Sequence, residues 1–120
     1  MKFEKLVPSL FYTNLKDSLT LIVDCLEFKI THSEFESASP YYVAEKDGLG
    51  ILVFQDEEYA EKHKPEYRIA TKNIEEVYNK IKSTHPKLLH PNLDKIILRP
   101  WGAKEFAILD GQVGIIFQQW

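Results

Sequence analysis

The feature of this sequence that most restricts its fold is a local pattern that occurs once in each half of the chain. A β-rich run precedes an asparagine suited to a helix N-cap, an acidic residue follows three positions later, and apolar residues then recur at helical spacing. The two asparagines, Asn14 and Asn73, lie 59 residues apart in a chain of 120. Because this offset is nearly half of the chain, it predicts two modules of similar structure. The pairs of matching chemical type are Leu10 with Ile69, Asn14 with Asn73, Leu15 with Ile74, Asp17 with Glu76, and Ile22 with Ile81.

Further β-rich runs follow each copy of the pattern, which predicts a β-α-β-β-β order in both modules. The last two runs flank Asp110-Gly111, a dipeptide that strongly signals a tight hairpin turn. The charged residues at 55–65 predict a solvated connection between the modules. The predicted fold class is α+β, a single domain over residues 1–120 with module one at about 1–58 and module two at about 64–120. The predicted strands are 6–12, 28–35, 41–45, 49–54, 67–71, 93–98, 105–109 and 113–117.

Both predicted helices carry one apolar stripe that should face the core. The second helix should end at Thr84 or His85, because the residue before a proline avoids helical geometry. Pro8 lies within the first predicted strand and has no amide hydrogen, so this strand should lie at a sheet edge or be exchanged with another chain. The stripes are Leu15, Leu19, Ile22 and Leu26 in the first helix, and Ile74, Val77, Tyr78 and Ile81 in the second.

Length and composition fit one globular domain whose core needs neither a disulfide nor a metal. No apolar run approaches the ~18 residues of a membrane helix, and the N-terminus lacks the apolar stretch of a signal peptide. The single Cys25 predicts a small packing residue and fits a reducing cytoplasm. A net charge of −3 disfavours nucleic acid, since phosphate binding requires a basic face. We therefore expect a cytoplasmic protein that binds neither nucleic acid nor a membrane.

Three motifs accompany the repeat: Val7-Pro8-x-Leu10 before Asn14, Leu26-x-Phe28 after the first helix, and Trp101-Gly102-x-x-Glu105-Phe106-x-x-x-Asp110 near the end. Together with the tandem modules they resemble the glyoxalase/bleomycin-resistance/dioxygenase (vicinal oxygen chelate) superfamily, most of all its bleomycin-resistance group. The resemblance implies curved mixed sheets around a concave cavity and a homodimer. One departure is Glu27, which takes the place of a family glycine that ends the helix in a left-handed conformation.

Metal-dependent members of the superfamily hold a divalent ion through His, Gln or Glu on the first and last strands of each module. The resemblance carries these positions to Val7, Leu52 or Phe54, Glu66, and Ile116 or Phe117. Only Glu66 among them offers an oxygen ligand. Because an ion needs several converging donors, we predict no metal and no cofactor.

We interpret the chain as a metal-free binding protein that sequesters a drug-like or cationic aromatic ligand, in crevices that the resemblance places at a homodimer interface. The N-terminal strand is a candidate for exchange between the two chains, and no residue is predicted to be catalytic. The alternative is a divalent-metal-dependent glyoxalase- or dioxygenase-like enzyme, and a third reading is a dimer kept for protein contacts. Aromatic rings stack on heteroaromatic ligands and attract cations. The predicted ligand-binding residues are Trp101, Phe106, Tyr42, Phe54, Phe35, Tyr67 and Glu105.

Two of these residues leave local alternatives open. Trp101 lies at a corner beside Pro100 and Gly102, where an indole can either cap the core or line the mouth of a cavity. Glu105 can orient a ligand or accept a hydrogen bond from a loop amide. The four histidines are isolated from other catalytic residue types, so they predict surface or core positions and no catalytic set.

Overall fold

A computed structural model describes residues 1–120, and the chain divides into two compact units, Met1–His63 and Lys64–Trp120. Each unit contains one four-stranded mixed sheet with the strand order first, fourth, third, second. In both sheets the first strand is parallel to the fourth, and the other neighbours are antiparallel. The predicted α+β class and the β-α-β-β-β order are therefore confirmed. No helix has the length and hydropathy needed to cross a bilayer.

The first unit begins with a strand that lies at the edge of its sheet, as Pro8 predicts. The strand is shorter than expected, because Pro8 lies outside it and contributes only its carbonyl, which accepts a hydrogen bond from the Leu52 amide. The elements are β1 (Ser9–Tyr12), a 3-10 turn (Leu15–Ser18), a π-helical turn (Thr20–Cys25), β2 (Lys29–Glu34), β3 (Tyr41–Lys46), β4 (Leu49–Gln55) and α1 (Glu57–Lys62).

The first helical segment differs from the regular α-helix that the sequence predicts. Its last turn is wide, with the Leu26 amide donating to the Leu21 carbonyl at 3.0 Å. This turn brings Leu21 into the core and leaves Leu19 only half-buried, so the predicted stripe is wrong at that position. Glu27 follows with φ of 61°, the left-handed conformation that the family glycine would adopt.

The charged stretch after β4 is largely exposed, as a solvated connection should be, but it contains the helix α1, which the sequence did not predict. Asp56 caps this helix, because its Oδ1 accepts a hydrogen bond from the Tyr59 amide at 3.1 Å. Ala60 is its one fully buried residue. A single alanine among charged residues gives no visible apolar period, which explains why the pattern did not reveal the helix.

The second unit repeats the arrangement with a regular helix and a longer irregular connection. The predicted strand 93–98 reduces to two residues, because Leu93 lies in a loop whose carbonyl accepts from the Ala107 amide at 2.9 Å. Gly111, with φ of 90°, allows the tight turn of the terminal hairpin. The elements are β5 (Glu66–Ala70), α2 (Ile74–Thr84), a 3-10 turn (Pro86–Leu88), β6 (Ile97–Leu98), β7 (Lys104–Leu109) and β8 (Gly114–Gln119).

The helix starts confirm the repeat and add a feature that the sequence did not reveal. Asn73 Oδ1 accepts from the Glu76 amide at 3.2 Å, which is the predicted N-cap, and Asn73 Nδ2 donates to the Glu76 carboxylate at 3.2 Å. The Asn73 backbone amide donates to Thr71 Oγ1, so the reciprocal half of the predicted capping box does not form. Gln55 Oε1 accepts from the Leu15 amide at 2.9 Å. Gln119 Oε1 accepts from the Ile74 amide at 2.8 Å. The last strand of each unit thus ends in a glutamine that holds the start of that unit's helical segment.

Candidate functional site

The first unit carries a row of aromatic rings across its whole sheet. Consecutive centroids lie 5.4, 5.0, 5.6, 5.9 and 5.8 Å apart along the row. The row begins just after the end of α1, includes one ring on α1, crosses β1, β4 and β3, and ends on β2. We call this set the aromatic row; its members are His63, Tyr59, Phe11, Phe54, Tyr41 and His32.

Strand register explains why these side chains share one face. Phe11 and Tyr41 are both paired directly with Phe54, from its two neighbouring strands. Residues that are directly paired point to the same side of a sheet, whereas the next residue along each strand points to the other. The neighbours Tyr12 and Tyr42 are buried, so the row lies on the face opposite the core.

The residues of the row are partly open to solvent. Phe11, Phe54 and Tyr41 are half-buried, while Tyr59 and His32 are exposed. At one end His32 Nε2 lies 3.2 Å from the Tyr41 hydroxyl and 3.6 Å from a Glu34 carboxylate oxygen. The row therefore offers a partly exposed aromatic surface with a polar group and a carboxylate at its end.

The second unit carries a charged cluster built around Glu105, whose side chain is fully buried. Arg68 Nη1 donates to its Oε2 at 2.9 Å, and Arg99 Nε donates to its Oε1 at 3.1 Å. The Trp101 indole N–H donates to Oε2 at 3.4 Å. We call Arg68, Arg99, Trp101 and Glu105 the charged cluster. A buried carboxylate requires such partners, since an unpaired one would be strongly disfavoured.

The open alternatives for Trp101 and Glu105 are resolved by this geometry. Trp101 is 54% exposed and therefore does not cap the core. The Arg99 guanidinium lies 5.5 Å from its ring centroid, and Glu105 binds its N–H edge. Glu105 accepts hydrogen bonds from side chains and not from a loop amide. Its carboxylate therefore holds two guanidiniums and an indole in position.

The remaining predicted ligand residues lie in several different places. Phe54 belongs to the aromatic row. Tyr42 is fully buried, with its hydroxyl 2.6 Å from Ser18 Oγ, and half-buried Phe35 stacks on it at 5.8 Å.

In the second unit, Phe106 is fully buried between Phe117 and Tyr78, and the centroids of both rings lie 5.0 Å from its own. Tyr67 is half-buried, and burial raises the pKa of its hydroxyl. Fully buried rings offer no surface to a ligand in this conformation.

Several residues of both sites were missed by sequence reasoning. Tyr41 and Phe11 could have been found by following strand parity, because each alternates with a buried tyrosine. Arg68 alternates with half-buried Tyr67 and Ile69, so parity could also have placed it on the outer face. Arg99 lies outside the strands and gives no such signal.

The residues present do not fit the divalent-ion site of the metal-dependent relatives. The first-strand position of module one is apolar Val7, and its last strand places Leu52 and Phe54 at the predicted positions. Glu66 is the one carboxylate among these positions. The structure contains no group of three or more His, Cys, Asp or Glu side chains that could hold a metal.

The structure is similar to solved structures of small-molecule-binding and resistance proteins. A bleomycin-binding protein in complex with bleomycin aligns with a TM-score of 0.75 at 15% identity, over 98% of this chain and 99% of the other. The fosfomycin resistance protein FosX from Listeria monocytogenes aligns with a TM-score of 0.74 at 13% identity, over 100% and 95%. A glyoxylase/bleomycin resistance protein/dioxygenase domain from Frankia sp. aligns with a TM-score of 0.75 at 11% identity, over 98% and 93%.

At these identities the similarity establishes the fold and confirms, at that level, the resemblance found in the sequence. No protein-family model matches the sequence, and no curated protein sequence matches it.

Proposed function

We propose that this protein binds a flat aromatic small molecule on the aromatic row and withholds it from its target, with no metal, cofactor or bond-making step. The observation that carries the proposal is the row itself. An exposed apolar patch of this kind is uncommon on a folded domain unless something binds to it. Offset-stacked rings favour a planar ligand, because each added ring contact contributes dispersion and buries apolar area.

We propose that the ligand is cationic as well as aromatic. The face of each ring carries negative potential and attracts a cation placed over it. Glu34 beside His32 supplies a formal negative charge at one end of the row. The chain as a whole carries a net charge of −3, which also favours approach of a cation. Solved structures with this fold include a bleomycin-binding protein in complex with bleomycin, which supports a small-molecule ligand for this chain.

We propose that two copies of the chain pair in the cytoplasm and that the ligand lies at their interface. Residues 1–8 precede β1 and expose Phe3 and Leu6, apolar side chains that a second copy would cover. Light scattering should then give twice the 14.0 kDa chain mass. Replacing both side chains with serine should shift the population toward the single-chain mass, and an unchanged mass would exclude this segment from the interface.

The test is thermal unfolding with proflavine and with metal-free bleomycin. A ligand at one hundred times its dissociation constant adds ~2.7 kcal/mol to the free energy of unfolding, which raises Tm by several degrees. Tyr41→Leu removes a ring from the middle of the row and should abolish most of this shift. The matched control is Trp120→Leu, which removes an exposed aromatic residue outside the row.

Two results would contradict the proposal. One is an equal loss of the ligand-induced shift in Tyr41→Leu and Trp120→Leu, which would mean that the row is not the binding surface. The other is stabilisation by nickel, zinc or manganese that a chelator reverses, with none by either aromatic ligand. That outcome would favour the alternative of a metal-dependent enzyme.

A further inference from the structure

The charged cluster holds more positive charge than is needed to neutralise its buried carboxylate. The buried carboxylate of Glu105 carries one negative charge, and one guanidinium would neutralise it. Two guanidiniums, from Arg68 and Arg99, bind it instead. The cluster therefore keeps an excess of one positive charge.

Differences in exposure place this excess charge at the surface. The Glu105 side chain is 0% exposed, whereas the side chains of Arg68 and Arg99 are 45% and 30% exposed. A guanidinium has five N–H donors in a planar fork, and each described hydrogen bond to Glu105 uses one of them. The outer N–H groups suit a carboxylate or phosphoryl oxygen pair.

Neither guanidinium forms an ion pair with a carboxylate other than Glu105. Glu66 lies two residues from Arg68 on β5, on the same face, but the structure gives no ion pair between them. Lys104, next to Glu105, points to the other face and pairs with Glu75 on α2 at 3.4 Å. Glu105 thus holds the two guanidiniums in place, and their outer side remains cationic.

Trp101 adds a flat apolar surface to the same cluster. Its N–H edge is bound by Glu105, and Arg99 lies over its ring. An exposed indole held by two contacts loses little side-chain freedom when a ligand stacks on it. Its position beside both guanidiniums allows one molecule to use the ring and the charge together.

We infer that the charged cluster is a binding site for a small aromatic acid, whose ring stacks on Trp101 and whose carboxylate or phosphoryl group binds Arg68 and Arg99. This site uses none of the residues of the aromatic row and carries the opposite charge preference. The two proposals can therefore be tested separately, and the failure of one leaves the other unaffected.

The experiment uses the full chain with Trp120→Phe, which leaves Trp101 as the only tryptophan. Quenching of its fluorescence is titrated with benzoate, phenylphosphonate, neutral benzamide and cationic benzylammonium. We expect benzoate or phenylphosphonate to quench saturably with a Kd at least ~10-fold below that of benzamide, and benzylammonium to bind most weakly. The tighter of the two anions identifies the head group. Equal binding of the anions and benzamide, or no saturable quenching by either anion, would overturn the inference.

Charge variants test whether the cluster itself binds the anion. Arg68→Gln should weaken anion binding by about 10-fold while Arg99 still pairs with Glu105. The matched control, Lys104→Gln, removes the same charge from the opposite face and should leave the Kd unchanged. Equal effects of the two substitutions would overturn the inference. If Arg68→Gln shows no cooperative unfolding transition, Arg68→Lys replaces it in the test. Lysine keeps the charge but lacks the planar fork of N–H donors, so this variant should still weaken anion binding several-fold. An unchanged Kd for the anion in Arg68→Lys would contradict the inference.

Proflavine binding separates this inference from the proposed function. Arg68→Gln should leave the proflavine-induced rise in Tm unchanged, because the aromatic row contains no residue of the charged cluster. Loss of anion binding with retained proflavine binding supports both ideas. Loss of the proflavine effect in Arg68→Gln would show that one surface serves both ligands and would overturn the separate site.

Discussion

The two units share a backbone plan but place different chemistry at corresponding positions. In each unit, the residue just before the glutamine that holds the helix start lies on the last strand of the sheet. This residue is paired directly with one residue of the first strand and one residue of the third strand, so three positions correspond between the units. The first unit has Phe11, Phe54 and Tyr41 at these positions, and the second has Ala70, Gln118 and Glu105.

This difference separates the residues that build the fold from those that we propose to bind ligands. The face that packs against the helix carries mainly buried apolar side chains in both units, and the helix starts share the Asn cap and the glutamine contact. The opposite face is buried less uniformly: Ala107 and Ile116 form a small buried cluster with Leu93 there, while other side chains on it are half-buried or exposed. One plan can therefore present a row of rings in one unit and a charged cluster in the other.

The largest expected difference between the units comes from replacing corresponding residues with alanine. Glu105→Ala removes two charge-assisted hydrogen bonds to partly exposed guanidiniums and should lower the free energy of unfolding by about 2 kcal/mol. Tyr41→Ala removes a half-buried ring and should lower it by about 1 kcal/mol. Urea denaturation of both variants measures the two changes. Equal losses would mean that Glu105 does not organise its cluster.

The shared glutamines provide the next test, because they should have equal effects. Gln55→Ala and Gln119→Ala each remove the acceptor of one amide at a helix start, so each should lower the free energy of unfolding by about 1 kcal/mol. Chemical denaturation of the two variants, with Gln112→Ala as a control in the turn, measures this. A loss in one unit only would break the correspondence between the units.

The helix ends should respond in opposite directions to glycine. Glu27 has φ of 61°, so Glu27→Gly should relieve a left-handed conformation and raise the free energy of unfolding by about 0.5 kcal/mol. His85, at the end of α2, has φ of −139°, so His85→Gly should lower it by a similar amount. Thermal unfolding distinguishes the two signs, and stabilisation by both substitutions would contradict this explanation.

The smallest effect concerns Glu75, which is exposed. A hydrogen bond from its own backbone amide and the nearby Lys104 ammonium lower the pKa of its carboxyl group. A carboxyl group whose pKa is lowered by folding stabilises the folded state at pH values above the ordinary Glu pKa. This stabilisation is lost as the pH falls through the pKa of the folded state. An NMR titration should show the lowered pKa, with a partial return toward the ordinary value in Lys104→Gln. A rise of the pKa above the ordinary Glu range would contradict the assignment.

Sequence reasoning recovered the backbone of this protein better than its sites. Asn14, Asn73 and Pro8 predict helix starts and an edge strand, because caps and a missing amide act locally. The wide turn at Leu21 and the helix at Ala60 were missed, since tertiary packing decides both.

Tyr42 and Phe106 were expected to line a crevice but are core residues, because composition alone does not tell which face of a strand is buried. Arg68 and Arg99 meet only through Glu105, and no sequence spacing reveals that contact.

The central claim is that the aromatic row binds a flat aromatic ligand, and NMR of the aromatic side chains during a proflavine titration tests it most directly. We predict that the ring signals of Phe11, Phe54, Tyr41 and Tyr59 shift together and saturate at one ligand concentration. The rings of Phe106 and Phe117, which are buried in the second unit, should shift little. Saturable shifts confined to other residues, or no saturable shift at all, would contradict the claim.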